Sequence, residues 1–167
     1  MKKIFIILIL LFNVCLFGCD SKLSSDYLRV HIRANSNSEE DQKIKYFIKD
    51  VFVEYMSPKL RECESKTEAI EIINENKIGI EKLIDGVLKE NGFNYGCSIE
   101  INNEFFPTRV YDDLTLEADY YDAVIVKLGS AVGNNWWCVV YPNLCFNEPT
   151  NVVYKSKIVE IINKIKG

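Results

Sequence analysis

His31, the single histidine among 167 residues, and the pair Cys138 and Cys145, seven positions apart, are the residues of this chain able to carry nucleophilic chemistry. A thiol enzyme would need one of these sulfurs as a free, activated thiolate within reach of the imidazole. A Cys138–Cys145 disulfide would end that reading. Such a bridge would close a short loop around Tyr141-Pro142-Asn143 and stabilise the fold by about 2–3 kcal/mol in the chain-entropy model. As free thiols, the two would behave as small buried hydrophobes. Spacing alone leaves both alternatives open. Cys97 falls on an apolar strand face and reads as a core thiol, whereas Cys63, within Arg61-Glu62-Cys63-Glu64-Ser65, reads as more exposed. These four cysteines allow three pairings. No C-x-x-C spacing occurs, so no zinc or redox motif is supported, and neither a metal nor a cofactor is expected.

Residues 134–146 carry the strongest binding signal. Both tryptophans of the chain, Trp136 and Trp137, stand side by side there, directly after Asn135. Neighbouring side chains of a strand point to opposite faces, so one indole enters the core and the other points away from it. An outward tryptophan suits an interface anchor. Two indoles in the core, or an indole stacking wall glycans, are the competing readings. A second candidate surface is the strand around His31, where Arg29, His31 and Arg33 share one face. Three basic side chains could receive an acidic partner; otherwise they form a solvated face, with His31 as a surface residue. Arg109 beside Tyr111 clamps a loop or binds a ligand.

The elements that must position these residues follow from periodicity. Leu28, Val30 and Ile32 alternate with the basic trio, which describes a half-buried strand. Ser36-x-x-Glu39 and Ser38-x-x-Asp41 both fit a helix-capping box, with Ser36, Ser38, Asp41 and Gln42 as cap and first-turn residues. Ile44, Phe47, Ile48, Val51, Phe52 and Tyr55 then form a helical stripe, expected to end at Ser57-Pro58. A second helix starts near Ser65-x-x-Glu68 and ends at Gly92. Phe93 to Ile101 alternates as a strand, with Asn102-Asn103 read as a turn. An extended Phe105–Tyr111 leads into an acidic loop. Tyr121 to Leu128, apolar on both faces, reads as a central strand, and Gly129–Gly133 turns into the tryptophan strand. From Val152 the tail carries Ile158, Ile161, Ile162 and Ile165 at helical spacing. The order predicts an α+β fold: a mainly antiparallel sheet of about four strands, two long helices on one face, and a short C-terminal helix.

The N-terminus bears on compartment. Lys2 and Lys3 precede an apolar run of about 14 residues that ends at Leu16-Phe17-Gly18-Cys19, which describes a signal peptide over residues 1–19. Leu-x-Gly-Cys is also similar to a bacterial lipobox, with Cys19 as the lipidated residue; plain secretion and a retained anchor are the alternatives. Residues 20–167 then form one domain. Loss of Lys2 and Lys3 moves the net charge from −4 to −6, which argues against a nucleic-acid partner.

Three segments resemble a known family. Asn35 to Lys45 is similar to the A-N-S-D-S-x-x-D-Q-x-x-K stretch of the stage II sporulation protein R family, Phe106-Pro107-Thr108-Arg109-Val110-Tyr111 to its F-P-T-R-x-Y, and the tryptophan segment to its N-W-W-C-V-L-F-P-P-L-C-F. The matches fall in the family's order and cover about residues 27–147. Asn37, Tyr141 and Asn143 depart from the pattern. The resemblance implies an exported signal, not an enzyme, released into the space between forespore and mother-cell membranes. Its implied partner is a membrane-embedded aspartic protease that matures sigma factor E. Trp136, Trp137, Asn135, Arg109, Arg29, His31 and Arg33 are the residues expected to meet that partner, and a lipid on Cys19 would add a membrane contact.

Overall fold

A computed structural model describes residues 24–145. The signal peptide with Cys19 and the tail helix from Val152 lie outside the described residues. Strand β1 (Leu28–Arg33) leads to helix α1 (Glu39–Leu60) and, after a short turn, to helix α2 (Lys66–Glu90). Strands β2 (Cys97–Phe106), β3 (Arg109–Tyr111), β4 (Leu114–Leu116), β5 (Asp119–Leu128) and β6 (Asn135–Tyr141) follow.

Local chemistry sets the helix starts. The Ser38 hydroxyl accepts the Asp41 N–H at 3.1 Å, and Glu39, Glu40 and Asp41 occupy the positive end of the α1 dipole. The Ser65 hydroxyl accepts the Glu68 N–H at 3.1 Å, and the Glu68 carboxylate reaches back to the Glu64 N–H at 2.8 Å. Gly92, at φ +83°, follows the last turn of α2 in the left-handed conformation that favours glycine.

The main sheet has the order β2-β5-β1-β6. Its central pair, β1 and β5, runs parallel, and the two outer junctions are antiparallel. The parallel pair arises because both helices and β2 intervene between β1 and β5, a connection long enough to return the chain in the same direction. One face buries Leu28, Val30 and Ile32 of β1, with Val124, Val126 and Leu128 of β5, against α1 and α2. The opposite face buries Phe106, Tyr121, Ala123, Ile125 and Val139 beneath the small hairpin β3–β4, with Leu116. The α+β expectation holds: among the described residues both long helices pack on one face of the sheet.

Three boundary expectations fail for physical reasons. Pro58 does not end α1, which runs to Leu60; the one helical hydrogen bond that its missing N–H forgoes is lost in the last turn, where only two further residues depend on the helix continuing. Asn102-Asn103 is no turn. β2 pairs with β5 continuously from Cys97↔Leu128 to Phe106↔Asp119, and the Asn103 amide donates across the pair to Asp122 at 3.1 Å. The acidic loop folds into the β3–β4 hairpin, with Asp112 at φ 46° in its turn.

Most consequential is β1, which is not half-buried. Arg29 and His31 are 0% exposed, so the basic face is an interior and the expected solvated or surface role for His31 is corrected. β1 sits between two strands and between two layers, and the hairpin covers the face that alternation assigns to solvent.

Candidate functional site

The interior under the hairpin is polar and aromatic. The Arg29 guanidinium lies 4.2 Å from the Phe106 ring centroid and 4.7 Å from that of Tyr121, and donates to the Tyr111 hydroxyl at 2.9 Å. Aromatic faces substitute for water around a weakly hydrated cation, which is how an arginine is tolerated there. Its Nε and Nη1 atoms find no hydrogen-bond partner. His31 stacks on Trp137, centroids 4.8 Å apart, and tilts against Phe106 at 5.3 Å. The Asn135 amide faces its Nδ1 at 3.4 Å.

His31 stays neutral. Burial, then the nearby Arg33, Lys127 and Arg29 charges, lower its pKa from 6.5 to about 3. Glu104 lies 3.0 Å from Nε2 and would favour the imidazolium, but that oxygen is out of line for a hydrogen bond and already accepts from Arg33 at 2.6 Å. Burial, with the cations, therefore outweighs the carboxylate. A neutral ring accepting at Nδ1 carries its proton on Nε2, toward Glu104.

A second joint ties the start of α1 to the loop before β6. The Asp41 carboxylate accepts from Ser36 at 2.5 Å, Tyr95 at 2.5 Å and Asn35 at 3.0 Å. Burial pushes that carboxyl up, and its hydrogen bonds outweigh burial and hold it below the ordinary carboxylate value. Asn35 also accepts the Ser130 N–H at 2.9 Å, and Asn37 accepts the Asn134 N–H at 2.7 Å. Gly129, at φ +56°, and Gly133 permit the approach: a Cβ on either would strike Asn35 or the Ser36 carbonyl. Lys45, 1% exposed, donates to Gln42 at 2.7 Å and to the Asn134 carbonyl at 3.0 Å.

Beside this joint lies an open depression of about 540 Å³, walled by Gln42, Lys45 and Tyr46 of α1, Arg109 of β3, and Asn134, Asn135 and Trp137. Three of the expected contact residues, Arg109, Asn135 and Trp137, meet here, and the Arg109 guanidinium stands 5.7 Å from the Trp137 ring. His31 and Arg29 lie in the interior behind Trp137. Arg33 turns to Glu104. Trp136 emerges on the helix side, its ring 5.9 Å from the Lys49 ammonium. Both indoles are half-buried, on opposite faces, as alternation requires. Of the four cap residues, Ser38 alone is the N-cap; Ser36, Asp41 and Gln42 build the joint. Sequence reasoning missed Lys45, Tyr46 and Asn134. Lys45 lies on the buried side of α1, which a charge-blind stripe could not reveal.

A family model described as Stage II sporulation protein R (spore_II_R) matches residues 24–151. The chain belongs to the stage II sporulation protein R family. Stage II sporulation protein R of Bacillus subtilis (strain 168) is 32% identical to it over 124 residues, which is 74% of this chain and 55% of that relative. The chain thus spans about half the length of the curated relative it matches. No solved structure matches. Family membership supports a role in sporulation. The three segments that resemble the family's motifs each contribute to the depression: Gln42 and Lys45 from the first, Arg109 from the second, Asn135 and Trp137 from the third.

In this member of the family the thiol-enzyme arrangement is not assembled. Cys138 and Cys145 pack with the helix-side core, whereas His31 packs with Phe106 and Trp137 on the opposite face. The sheet separates them. The two sulfurs touch each other, with Cα atoms 6.3 Å apart, inside the span a disulfide allows. Cys97 is half-buried with its thiol pushed up, first by burial and then by Asp85, so it is a poor nucleophile. Cys63 is half-buried and donates to the Ser65 carbonyl at 3.0 Å. Among the described residues no helix is long and apolar enough to cross a membrane.

Proposed function

We propose that this protein is an exported signal that docks on a membrane-embedded aspartic protease and triggers maturation of sigma factor E. Catalysis belongs to the receptor. The observation that carries the docking reading is the convergence of three segments, distant in sequence, on one depression lined by Arg109, Trp137 and Asn135. A site with an indole fixed on a buried imidazole and a guanidinium beside it has the composition of an interface anchor. Export to the space between forespore and mother cell, by the signal peptide over residues 1–19, fits the −6 charge of the remainder and a Cys138–Cys145 disulfide formed outside the cytosol. Lipidation at Cys19 would keep the signal on the membrane that faces its receptor.

The test is reconstitution in a host that does not sporulate. The protease and the sigma precursor are co-expressed with the chain, either intact or lacking residues 1–19, and precursor cleavage is followed by immunoblot. Cleavage only with the exported form is expected. No cleavage, with the protein shown exported and folded, would refute the activating role. In the same assay Trp137→Ala should weaken docking by about 2–4 kcal/mol, the usual cost of truncating an interface anchor.

A further inference from the structure

Two cations face the depression, and among the described residues neither has a carboxylate partner: beside its hydrogen bonds Lys45 meets only the Tyr46 ring, at 4.6 Å. Lys45 is 1% exposed, yet both its hydrogen bonds go to neutral oxygens, those of Gln42 and Asn134. An ammonium carries three donors, so one remains. Burial lowers the Lys45 pKa, and no carboxylate acts against that shift. Arg109 is exposed, and its described contact is the Trp137 ring rather than an acid. Among the described residues no acid lines the depression, although acids outnumber bases in the chain as a whole by 24 to 20. An unneutralised pair of cations on an acidic protein marks the place where a negative group is to be received. Trp137 and the 52% exposed Tyr46 flank it with apolar surface.

We infer that the depression binds a carboxylate side chain of a protein partner, an aspartate or glutamate with an apolar neighbour, its oxygens bridging the Lys45 ammonium and the Arg109 guanidinium. This deepens the docking reading above and rests on it for the identity of the partner. A membrane headgroup is the weaker occupant, because the acidic remainder of the chain is repelled by anionic lipid while a single side chain can enter between the two cations.

The test uses the full chain with Trp136→Phe, which leaves Trp137 as the only tryptophan, titrated with N-acetyl-Glu-Phe-amide, with its Gln-Phe counterpart, and with phosphatidylglycerol vesicles. Quenching by the glutamate peptide should be roughly 10-fold tighter than by the glutamine peptide and should weaken with salt. Arg109→Gln, at an exposed site, and Lys45→Met, which keeps the buried stem, should each erase that preference. Equal response to both peptides, or none, overturns the inference. Response to vesicles alone overturns it too, in favour of a lipid headgroup. Because the titration needs no protease, a selective peptide response beside a failed reconstitution would leave carboxylate recognition standing and remove the proposed receptor.

Discussion

The two faces of the sheet are built from the same strands and solve opposite problems. On the helix side, Leu28, Val30, Ile32, Val124, Val126 and Leu128 meet the stripes of α1 and α2 in an apolar core, with the buried Asp41 and Lys45 near the start of α1. On the hairpin side the alternate residues of β1 are Arg29 and His31, buried among Phe106, Tyr121 and Trp137. The first face supplies stability through area removed from water. The second spends part of its apolar burial on two polar groups, and gains a rigid floor for Trp137. Neither group is well satisfied: Arg29 leaves two nitrogens unpaired, and His31 is kept neutral against an adjacent carboxylate. A polar core of this kind is poorly explained by stability and well explained by a need to orient what lies above it.

The difference can be broken from either side. On the helix face, Phe52→Ala should lose about 3–5 kcal/mol in urea unfolding, the range for a buried aromatic, without altering peptide binding once folding is restored by low temperature. At the joint between the faces, Gly133→Ala should lose about 1–3 kcal/mol, because a Cβ must displace the Ser36 carbonyl. Unlike Phe52→Ala, it should also impair docking, by spreading the lip of the depression.

The hairpin face should show itself in acid. His31 binds its proton less readily when folded, near pH 3, than when unfolded, near 6.5, so the unfolded chain is protonated first. Stability is complete above pH 6.5 and falls toward pH 3, with a slope of up to about 1.4 kcal/mol per pH unit. Asp41, whose folded pKa is also lowered, adds loss in the same direction below the ordinary carboxylate range. Thermal melts of His31→Gln should have a shallower slope between pH 6.5 and 4.5 than the parent, and an unchanged slope there would refute the neutral assignment.

Smallest of all should be Arg29→Met. An apolar chain of similar length removes two unpaired nitrogens as well as the aromatic contacts, so the net change should stay within about 1 kcal/mol by denaturant titration. A loss as large as that of Phe52→Ala would show that the cation itself holds the hairpin down.

Much of this arrangement was legible along the chain. The stripes of Ile44, Ile48, Val51 and Phe52 and of Ile73, Ile80, Ile84 and Val87 place both helices, because burial against a sheet demands a 3.6-residue period. The caps at Ser38 and Ser65 followed from hydroxyl chemistry, and the double-faced apolar run of β5 announced a central strand. The site was half legible. Trp137, Asn135 and Arg109 were recognisable by residue type, and the structure brings them together. Lys45 was not, since a lysine in a helix reads as solvated unless something is known to lie over it.

What the sequence by itself determined is therefore local: which residues repeat with helix or strand period, where helices start, and that the two indoles of β6 take opposite faces. The tertiary structure alone decided that neither face of β1 meets solvent. Arg29 is interior because the β3–β4 hairpin, some 80 positions away, folds back over it through Tyr111, and His31 because Trp137 of β6 and Phe106 of β2 pack on its ring. Alternation gives a strand two faces, but only the layers packed on each decide which of them is dry.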